Sequence, residues 1–269
     1  MKETDSFSFD PEIEALLQAR LDELRLIDDI FFKACLKDNP RAAEAIIRVA
    51  LDMPNAKVES LSIQDESAFP NSRNVRFDLK VRDEKGRLFD VEVQRGIKPD
   101  LPRRCRYHLS ALTVHSLRQG QDFIDIPDAY VLFLCETDPF DEGKPFYSFQ
   151  YLEEKTGMPL DDGSEIRLFN CAYKGDDAYG RLALDMLSHD SARMSDPVLR
   201  DTVHRGKIGE RRTDVMSDLA QELVELGEKR GREESKKEIA LALLKREIDP
   251  EVIAEATGLP LETVLSLKK

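Results

Sequence analysis

Apolar residues recur at helical spacing through the first fifty positions of the chain. The pattern predicts a short helix at 11–24 and a second helical stretch, LRLIDDIFFKACLKD, at 24–38. Asn39-Pro40 interrupts this stretch, because the residue before a proline disfavours the helical conformation. A further helix is predicted at 41–53, where the small and branched apolar residues share one face. The N-terminal part of the chain is therefore expected to be helical.

Three runs near 57–64, 73–82 and 87–94 alternate apolar and polar residues instead, which is the pattern of half-buried strands. The second and third runs are joined by DEKGR. A three-residue loop with Gly86 in the left-handed conformation would pair Asp83 with Arg87. The two runs are thus predicted to form a β-hairpin with a defined register.

That register assigns a partner and a face to each residue of the hairpin. Asp78 is predicted to face Glu92 directly, with their Cβ atoms about 5 Å apart on a polar face. The other predicted pairs on this face are Arg76 with Gln94 and Lys80 with Asp90. The apolar residues Val75, Phe77, Leu79 and Val81 are expected to share the opposite face.

The middle of the chain continues with a helix predicted from Pro102 to Gly120 and a continuous apolar run, AYVLFLCE, at 129–136. A run without alternation is expected of a strand covered on both faces. YSFQYL and EIRLFNCAY are interpreted as further short strands. The order of elements predicts a mixed α/β fold with a central sheet flanked by helices.

The chain is expected to have four parts. Residues 1–24 form an N-terminal extension and 25–177 the α/β domain. Residues 178–232 are a charged helical arm, in which glycines weaken any single rigid helix. Residues 233–269 form a small helical unit in which two short helices around TGLP resemble a helix-turn-helix. This unit could read DNA bases, or pack against its own protein or a second copy.

Composition indicates the class of protein. With 41% hydrophobic and 35% charged residues, the 269-residue chain is typical of a soluble globular protein. No apolar run approaches the ~20 residues that cross a bilayer, and the acidic N-terminus lacks a signal-peptide pattern, so a cytoplasmic protein without a membrane partner is expected. The four cysteines lie far apart, which argues against a zinc site or a disulfide framework.

Charge is distributed unevenly along the chain. The net charge is −13, yet the segment 73–106 contains eleven basic residues against six acidic ones. A basic island in an acidic protein is a candidate phosphate-binding surface if it folds onto one face. A charge-rich solvated surface is the alternative interpretation.

Asp78 and Glu92 are the candidate chemistry within this island. Two like charges directly opposed in a sheet are destabilising, and a divalent cation would resolve the repulsion. Carboxylate oxygens, water and substrate phosphate are the ligands that Mg²⁺ uses in phosphoryl-transfer sites. The alternative is that both carboxylates pair with neighbouring basic residues on a solvated hairpin.

These residues also carry a family resemblance. Asp78, a turn, and then Glu92-Val93-Gln94 resemble the metal-site pattern of the PD-(D/E)XK nuclease superfamily, with Gln94 where a lysine usually stands. Together with DDIFFK, RRCRYHLSALTVHSLRQGQDF and AEATGLPLETVLSLK, the pattern resembles the Rpn family of recombination-promoting nucleases, also called PD-(D/E)XK nuclease family transposases. The resemblance extends over roughly residues 25–267 and implies a PD-(D/E)XK restriction-endonuclease-like core.

The resemblance implies a role for each matching residue. Asp78 and Glu92 would bind Mg²⁺, for which Mn²⁺ can substitute, with the backbone carbonyl of Val93 as a further ligand. Gln94 would stand where the motif lysine positions or activates water. The resemblance also implies Asp29 and Lys33 at the edge of the site, with Arg104 and Tyr107 lining it. The residues expected to contact DNA are Arg76, Lys80, Arg95, Arg103, Arg104 and Tyr107. Arg104 and Tyr107 could equally form a core-facing edge of their helix.

The implied activity is that of a metal-dependent DNA endonuclease linked to recombination or mobile elements. A nuclease fold kept as a scaffold, without catalysis, for binding DNA or a regulatory partner is the alternative. Since cutting both strands of DNA is easiest with two sites, a homodimer is expected.

Overall fold

The computed structural model describes residues 11–67, 74–117, 119–246 and 248–267. Within them the helices are α1 Pro11–Glu23, α2 Asp29–Leu36, α3 Pro40–Ala50, α4 Leu101–Val114, α5 Ala178–Leu187, α6 Pro197–Lys207, α7 Arg212–Leu244, α8 Pro250–Thr257 and α9 Leu261–Ser266. The strands are β1 Val58–Ser67, β2 Val75–Asp83, β3 Leu88–Gln94, β4 Ala129–Cys135, β5 Phe146–Phe149 and β6 Ser164–Asn170. The sequence predictions also cover residues that lie outside this description, namely 1–10, 68–73, 118, 247 and 268–269.

The strands form one mixed sheet in the order β1-β2-β3-β4-β6-β5. The β1-β2-β3 meander is antiparallel, whereas β3, β4 and β6 run parallel and β5 pairs antiparallel with β6. Because β3 and β4 are parallel, the chain must cross between them, and α4 lies in this crossover. The predicted mixed α/β fold with a central sheet and flanking helices is confirmed.

Helices cover both faces of the sheet. On one face α4 contributes Leu101, Cys105 and Leu109 to a core that includes Leu88 of β3 and Phe133 of β4. On the other face Arg167 of β6 donates from Nη1 to the carbonyl oxygen of Ala50 in α3, at 3.2 Å. A strand between two such layers is buried on both sides, which explains the unbroken apolar run of β4.

The predicted helical stretch at 24–38 is broken near its start. The carboxylate of Asp28 accepts a hydrogen bond from the backbone nitrogen of Arg25 at 2.8 Å, and the Asp28 nitrogen donates to the Arg25 carbonyl at 2.9 Å. This closed turn separates α1 from α2. The prediction was therefore too long by about one turn, because a local side-chain bond to the backbone competes with the helix.

Helix α4 also ends earlier than predicted, at Val114 instead of Gly120. Near its end, side-chain hydroxyl groups donate hydrogen bonds to backbone carbonyl oxygens: Thr113 Oγ1 to Leu109 O at 2.8 Å and Ser116 Oγ to Thr113 O at 2.7 Å. Gly120 has a φ of 90°, which suits the chain reversal that follows.

The chain divides into two compact units, the first ending at Met216 and the second beginning at Ser217. The expected arm 178–232 does not coincide with this division, because α5 and α6 are built into the first unit. The backbone nitrogen of Ile27 donates to Met186 O at 3.1 Å. Buried Lys207 of α6 donates to the carbonyl oxygens of Asp22 and His189, each at 2.7 Å. These bonds tie the N-terminal helices to residues beyond 177.

The second unit has a small core of its own, formed by Ala240, Ile253, Leu259 and Val264. Helix α8 follows the N-cap Asp249, whose side chain accepts from the Glu251 nitrogen, and it ends at Gly258, which is in the left-handed conformation. Helix α7 is continuous over 33 residues, although glycine interruptions were predicted. At a cost of about 1 kcal/mol each, two glycines do not outweigh the remaining helix formers. None of the described helices has the length and apolarity required to cross a membrane.

Candidate functional site

The β2-β3 hairpin positions the candidate carboxylates. Its four ladder pairs are Leu79–Val91, Lys80–Asp90, Val81–Phe89 and Arg82–Leu88. At the turn, the Asp83 nitrogen donates to Arg87 O at 3.1 Å and Gly86 has a φ of 80°. The predicted three-residue loop and register are therefore confirmed in the part of the hairpin next to the turn.

Gly86→Ala should lower the free energy of unfolding by about 1 kcal/mol, because alanine is strained at this φ. Sterics add nothing, since the atom nearest to an added Cβ is Arg82 Nη1 at 3.8 Å. Urea unfolding measures the effect. The matched control is Gly227→Ala in α7, where a Cβ would have no neighbour within 4 Å and alanine should stabilise the helix. Equal effects of the two substitutions would contradict the turn geometry.

Asp78 lies at a gap in the sheet. The β2-β3 ladder ends at Leu79–Val91, and the β1-β2 ladder passes from Ile63–Leu79 to Asp65–Phe77 without pairing Asp78. Gln64, the β1 residue that is skipped, has a φ of 56°, an uncommon value outside glycine. The predicted direct pairing of Asp78 with Glu92 is therefore absent, as is that of Arg76 with Gln94.

Side chains satisfy the backbone in this gap. Glu92 Oε1 accepts a hydrogen bond from the Asp78 nitrogen at 2.8 Å, and Asp78 Oδ2 accepts one from the Val93 nitrogen at 3.4 Å. Each carboxylate thus takes a backbone donor of the opposite strand. Asp78 and Glu92 are therefore linked by these side-chain-to-backbone hydrogen bonds, at a point where the ladder is interrupted, and not by a regular cross-strand pair.

The alternation of β2 changes face at the same point. Phe77 makes an edge contact with His108 of α4, with ring centroids 5.8 Å apart. Leu79 is paired with Val91, and its neighbour Asp90 reaches His108, so Leu79 and Val91 point to the other face. The prediction that Phe77 and Leu79 share one apolar face is wrong, because the irregularity at Asp78 shifts the alternation by one residue.

Little of either carboxylate is exposed to solvent, unlike the solvated hairpin of the alternative interpretation, but each does pair with a basic residue: Asp78 with Lys33 and Glu92 with Arg104. The side chains of Asp78 and Glu92 are only 13% and 3% exposed. Burial raises the pKa of the Glu92 carboxyl well above its usual range, and the charges of Asp90 and Asp78 act in the same direction. Burial and then the charge of Asp29 raise the pKa of Asp78, although Lys33 opposes this shift.

Lys33 of α2 joins the expected edge of the site to Asp78. Its Nζ lies 2.8 Å from Asp78 Oδ1 and 2.7 Å from Asp29 Oδ1. Burial of Lys33 disfavours its charge, but the two carboxylates outweigh this effect and raise the pKa of the amine. Lys33 is therefore a charged ammonium group in contact with a candidate metal ligand.

Gln94 is engaged at both ends of its amide. Its Oε1 accepts from Arg104 Nη1 at 2.6 Å, and its Nε2 donates to the carbonyl oxygens of Gly96 at 2.6 Å and Arg95 at 3.3 Å. The Arg104 guanidinium lies 3.7 Å from Glu92 Oε2 and 5.3 Å from the centre of the Phe133 ring. This geometry favours a role for Gln94 in positioning Arg104 over the water-positioning role expected from the resemblance.

A cleft of about 850 Å³ is lined by Asp29, Asp78, Glu92, Val93, Gln94 and Arg104, and Lys33 reaches it through its contact with Asp78. Its wall is strongly basic, and the arginines and lysine that line it are Arg76, Arg95, Lys98, Arg103, Arg104 and Arg106. Tyr107 lines it too and is 39% exposed, which does not fit a core-facing position. Of the residues expected to contact DNA, Lys80 is not part of the cleft wall; its Nζ lies 5.7 Å from the centre of the Phe77 ring.

Two residues of the site had no role in the sequence predictions. Asp90 Oδ2 lies 2.8 Å from His108 Nδ1, and Glu92 Oε1 lies 3.6 Å from the same nitrogen. Burial raises the pKa of Asp90 well above its ordinary value and lowers the pKa of His108. His108 belongs to no sequence motif for zinc.

Comparisons with known proteins give one match. The model of a family described as PD-(D/E)XK nuclease family transposase matches residues 39–172, which include Asp78, Glu92, Gln94, Arg104 and His108. The match and the mixed sheet together confirm the predicted PD-(D/E)XK nuclease-like fold. No curated protein and no solved structure gave a significant match.

Proposed function

Since residues 39–172 belong to the PD-(D/E)XK nuclease family transposases, we propose that this chain is a metal-dependent DNA endonuclease that hydrolyses phosphodiester bonds. One observation carries the proposal: half-buried Asp78 and buried Glu92 meet at a gap in the sheet next to a basic cleft. Acidic ligands next to a basic surface suit a polyanionic substrate and the cation that neutralises its phosphate.

The donor set fits Mg²⁺ or Mn²⁺. Hard carboxylate oxygens are available from Asp78 and Glu92, and the Val93 carbonyl is the third ligand we propose. Both carboxylates lie where burial alone disfavours their charge, so a bound cation would relieve an existing electrostatic cost. When bound, the ion lowers the pKa of a coordinated water and stabilises charge on the phosphate.

Lys33 supplies the charged amine that the Gln94 position lacks. Its contact with Asp78 at 2.8 Å places the ammonium beside a proposed ligand, where it can donate hydrogen bonds to water or to a phosphate oxygen. Gln94 holds Arg104, which in turn approaches Glu92. We therefore assign the positive charge near the reacting phosphate to Lys33 and the orientation of the cleft arginine to Gln94.

The cleft arginines hold the DNA backbone. The net charge of −13 repels a polyanion from most of the surface, so a basic cleft directs its approach to one place. Arg103 and Arg106 are exposed and line this cleft next to Tyr107. Contacts to phosphate carry no sequence information by themselves.

Arg103→Gln should weaken DNA binding uniformly across sequences and reduce the slope of log K against log salt by about one. Fluorescence anisotropy with labelled duplexes at several salt concentrations measures both quantities. Arg41→Gln is the matched control, because Arg41 is also exposed but lies on α3, away from the cleft wall. If the control reduces the slope as much as Arg103→Gln, DNA does not bind in the cleft.

The test of the function is nicking of supercoiled plasmid by the purified chain with Mg²⁺, with Mn²⁺ and with EDTA, beside Asp78→Asn. Asparagine keeps an oxygen that can accept from Lys33 but removes the charge of the ligand. Cleavage that requires both metal and Asp78 supports the proposal. No cleavage, or equal cleavage by Asp78→Asn, favours the scaffold alternative, in which the cleft binds DNA without cutting it.

A further inference from the structure

Asp90, Glu92 and His108 form a cluster directly next to the proposed Asp78 site. One ligand atom of each residue lies within 4.8 Å of the others. Asp90 and Glu92 alternate on β3 and so point to the same face, on which α4 places His108. The three residues are 0%, 2% and 8% exposed, so the cluster is almost fully buried.

The positive charge that balances the cluster comes from outside it: Arg104 pairs with Glu92, and the charges of Arg104 and Lys80 favour the ionised form of Asp90. Two carboxylates face one imidazole, and the closest approach of Arg104 to Glu92 is 3.7 Å. Asp90 Oδ1 is fully buried and has no hydrogen-bond partner. Buried polar atoms are almost always satisfied, and an unpaired carboxylate oxygen is among the most costly exceptions.

Protonation of His108 would not give Asp90 Oδ1 a hydrogen-bond partner. An imidazolium would strengthen the 2.8 Å contact with Asp90 Oδ2, but it would leave Asp90 Oδ1 without a partner. A cation among the three residues would satisfy the open carboxylate oxygen.

We propose that Asp90, Glu92 and His108 bind a second divalent cation of the borderline transition class, such as Mn²⁺, Co²⁺ or Zn²⁺, with Glu92 shared between this site and the Asp78 site. An imidazole nitrogen disfavours Mg²⁺, which prefers oxygen ligands and retains several waters. Glu92 and His108 line the cleft, which gives the ion a route to the cluster. Since the ligands come from β3 and α4, the ion would join the helix to the sheet.

The test uses the full chain stripped with EDTA and titrated with Co²⁺, followed by calorimetry and visible absorption. Asp90→Asn is the main variant, because it keeps the shape and the acceptor for His108 but removes the charge; we expect Co²⁺ affinity to fall at least tenfold. His108→Ala should have a similar effect. His115→Ala is the matched control: His115 directly follows the last residue of α4, is exposed and bonds to Ala111 O. The Co²⁺ affinity of this variant should equal that of the wild type.

A second measurement identifies the ligand directly. In the Mn²⁺ form, pulsed electron paramagnetic resonance should show coupling to a histidine nitrogen that disappears in His108→Ala and persists in Asp78→Asn. No Co²⁺ binding, or unchanged affinity in Asp90→Asn, would overturn the proposal, as would Mn²⁺ without nitrogen coupling. If plasmid nicking fails while nitrogen-coupled Mn²⁺ binding persists, the endonuclease proposal is rejected and the buried site is retained.

Discussion

Glu92→Gln should reduce metal-dependent nicking of supercoiled plasmid by about a thousandfold while leaving the fold intact. The substitution removes the charge that is shared by both proposed cation sites. At about 1.4 kcal/mol per factor of ten, this loss corresponds to ~4 kcal/mol of transition-state stabilisation, within the several kcal/mol that a bound metal supplies. Glutamine keeps a carbonyl oxygen that can accept the 2.8 Å bond from the Asp78 nitrogen, so the gap in the sheet should persist.

The stability of this variant separates a catalytic role of Glu92 from a structural one. Burial and two neighbouring carboxylates disfavour the charge of Glu92. Without metal, the Glu92→Gln protein should therefore unfold at a denaturant concentration equal to or higher than that of the wild type. Glu84→Gln, in the exposed hairpin loop, controls for the loss of one negative charge and should nick at the wild-type rate. A stable Glu92→Gln that still nicks normally would reject the site.

Lys33→Met should lower the rate of DNA cleavage by about a hundredfold at saturating DNA and metal, with little change in DNA affinity. The reason is that removing one charged donor close to the reacting group typically costs about 10² to 10³ in rate. Single-turnover cleavage measures the rate, and anisotropy measures binding. Lys37→Met, one helical turn further along and exposed, is the matched control and should behave as the wild type.

Gln94→Lys added to Lys33→Met tests which position supplies the amine. The Gln94 side chain is directed to Arg104 and to the Gly96 carbonyl, so a lysine there should not restore the rate. Full recovery in the double variant would show that the lysine position of the motif remains functional. A wild-type rate in Lys33→Met alone would mean that Lys33 only neutralises Asp78 until a metal displaces it.

The hairpin register could be predicted because two independent signals agree in the sequence. The glycine of DEKGR determines the loop, and the alternation from Lys80 to Arg82 determines the pairing. The helix that follows Asn39-Pro40 depends on equally local contacts, and the structure shows Asn39 as its capping residue. Where an element is determined by contacts between residues close together in the sequence, the sequence pattern was sufficient to predict it.

The gap at Asp78 could not be predicted from alternation. The residues of β2 keep a regular apolar-polar pattern through the irregularity, and the exceptional backbone conformation is that of Gln64 on a different strand. Because helices cover both faces of the sheet, the amino-acid sequence does not show on which face an apolar residue of β2 lies. The sequence therefore identified the two carboxylates but not the geometry that brings them together.

The role of His108 had a signal that could have been used. Arg104 and His108 are four residues apart on one helix, and Gln94, Glu92 and Asp90 alternate on one strand, so two rows of polar side chains had to meet wherever the helix crossed that face. The prediction stopped because no zinc motif was present. Polar rows on adjoining elements are a better guide here than motif spacing.

The bonds that join Lys207 to Asp22 and Ile27 to Met186 determine when the first unit can be completed during synthesis. The N-terminal helices leave the ribosome long before their partners, which follow as many as 185 residues later. Until then the apolar faces of α1 and α2 lack part of their covering, although the sheet and its carboxylates are already translated. The nascent chain thus carries the whole candidate site before it can close the fold around it, and that interval is when it most needs protection from aggregation.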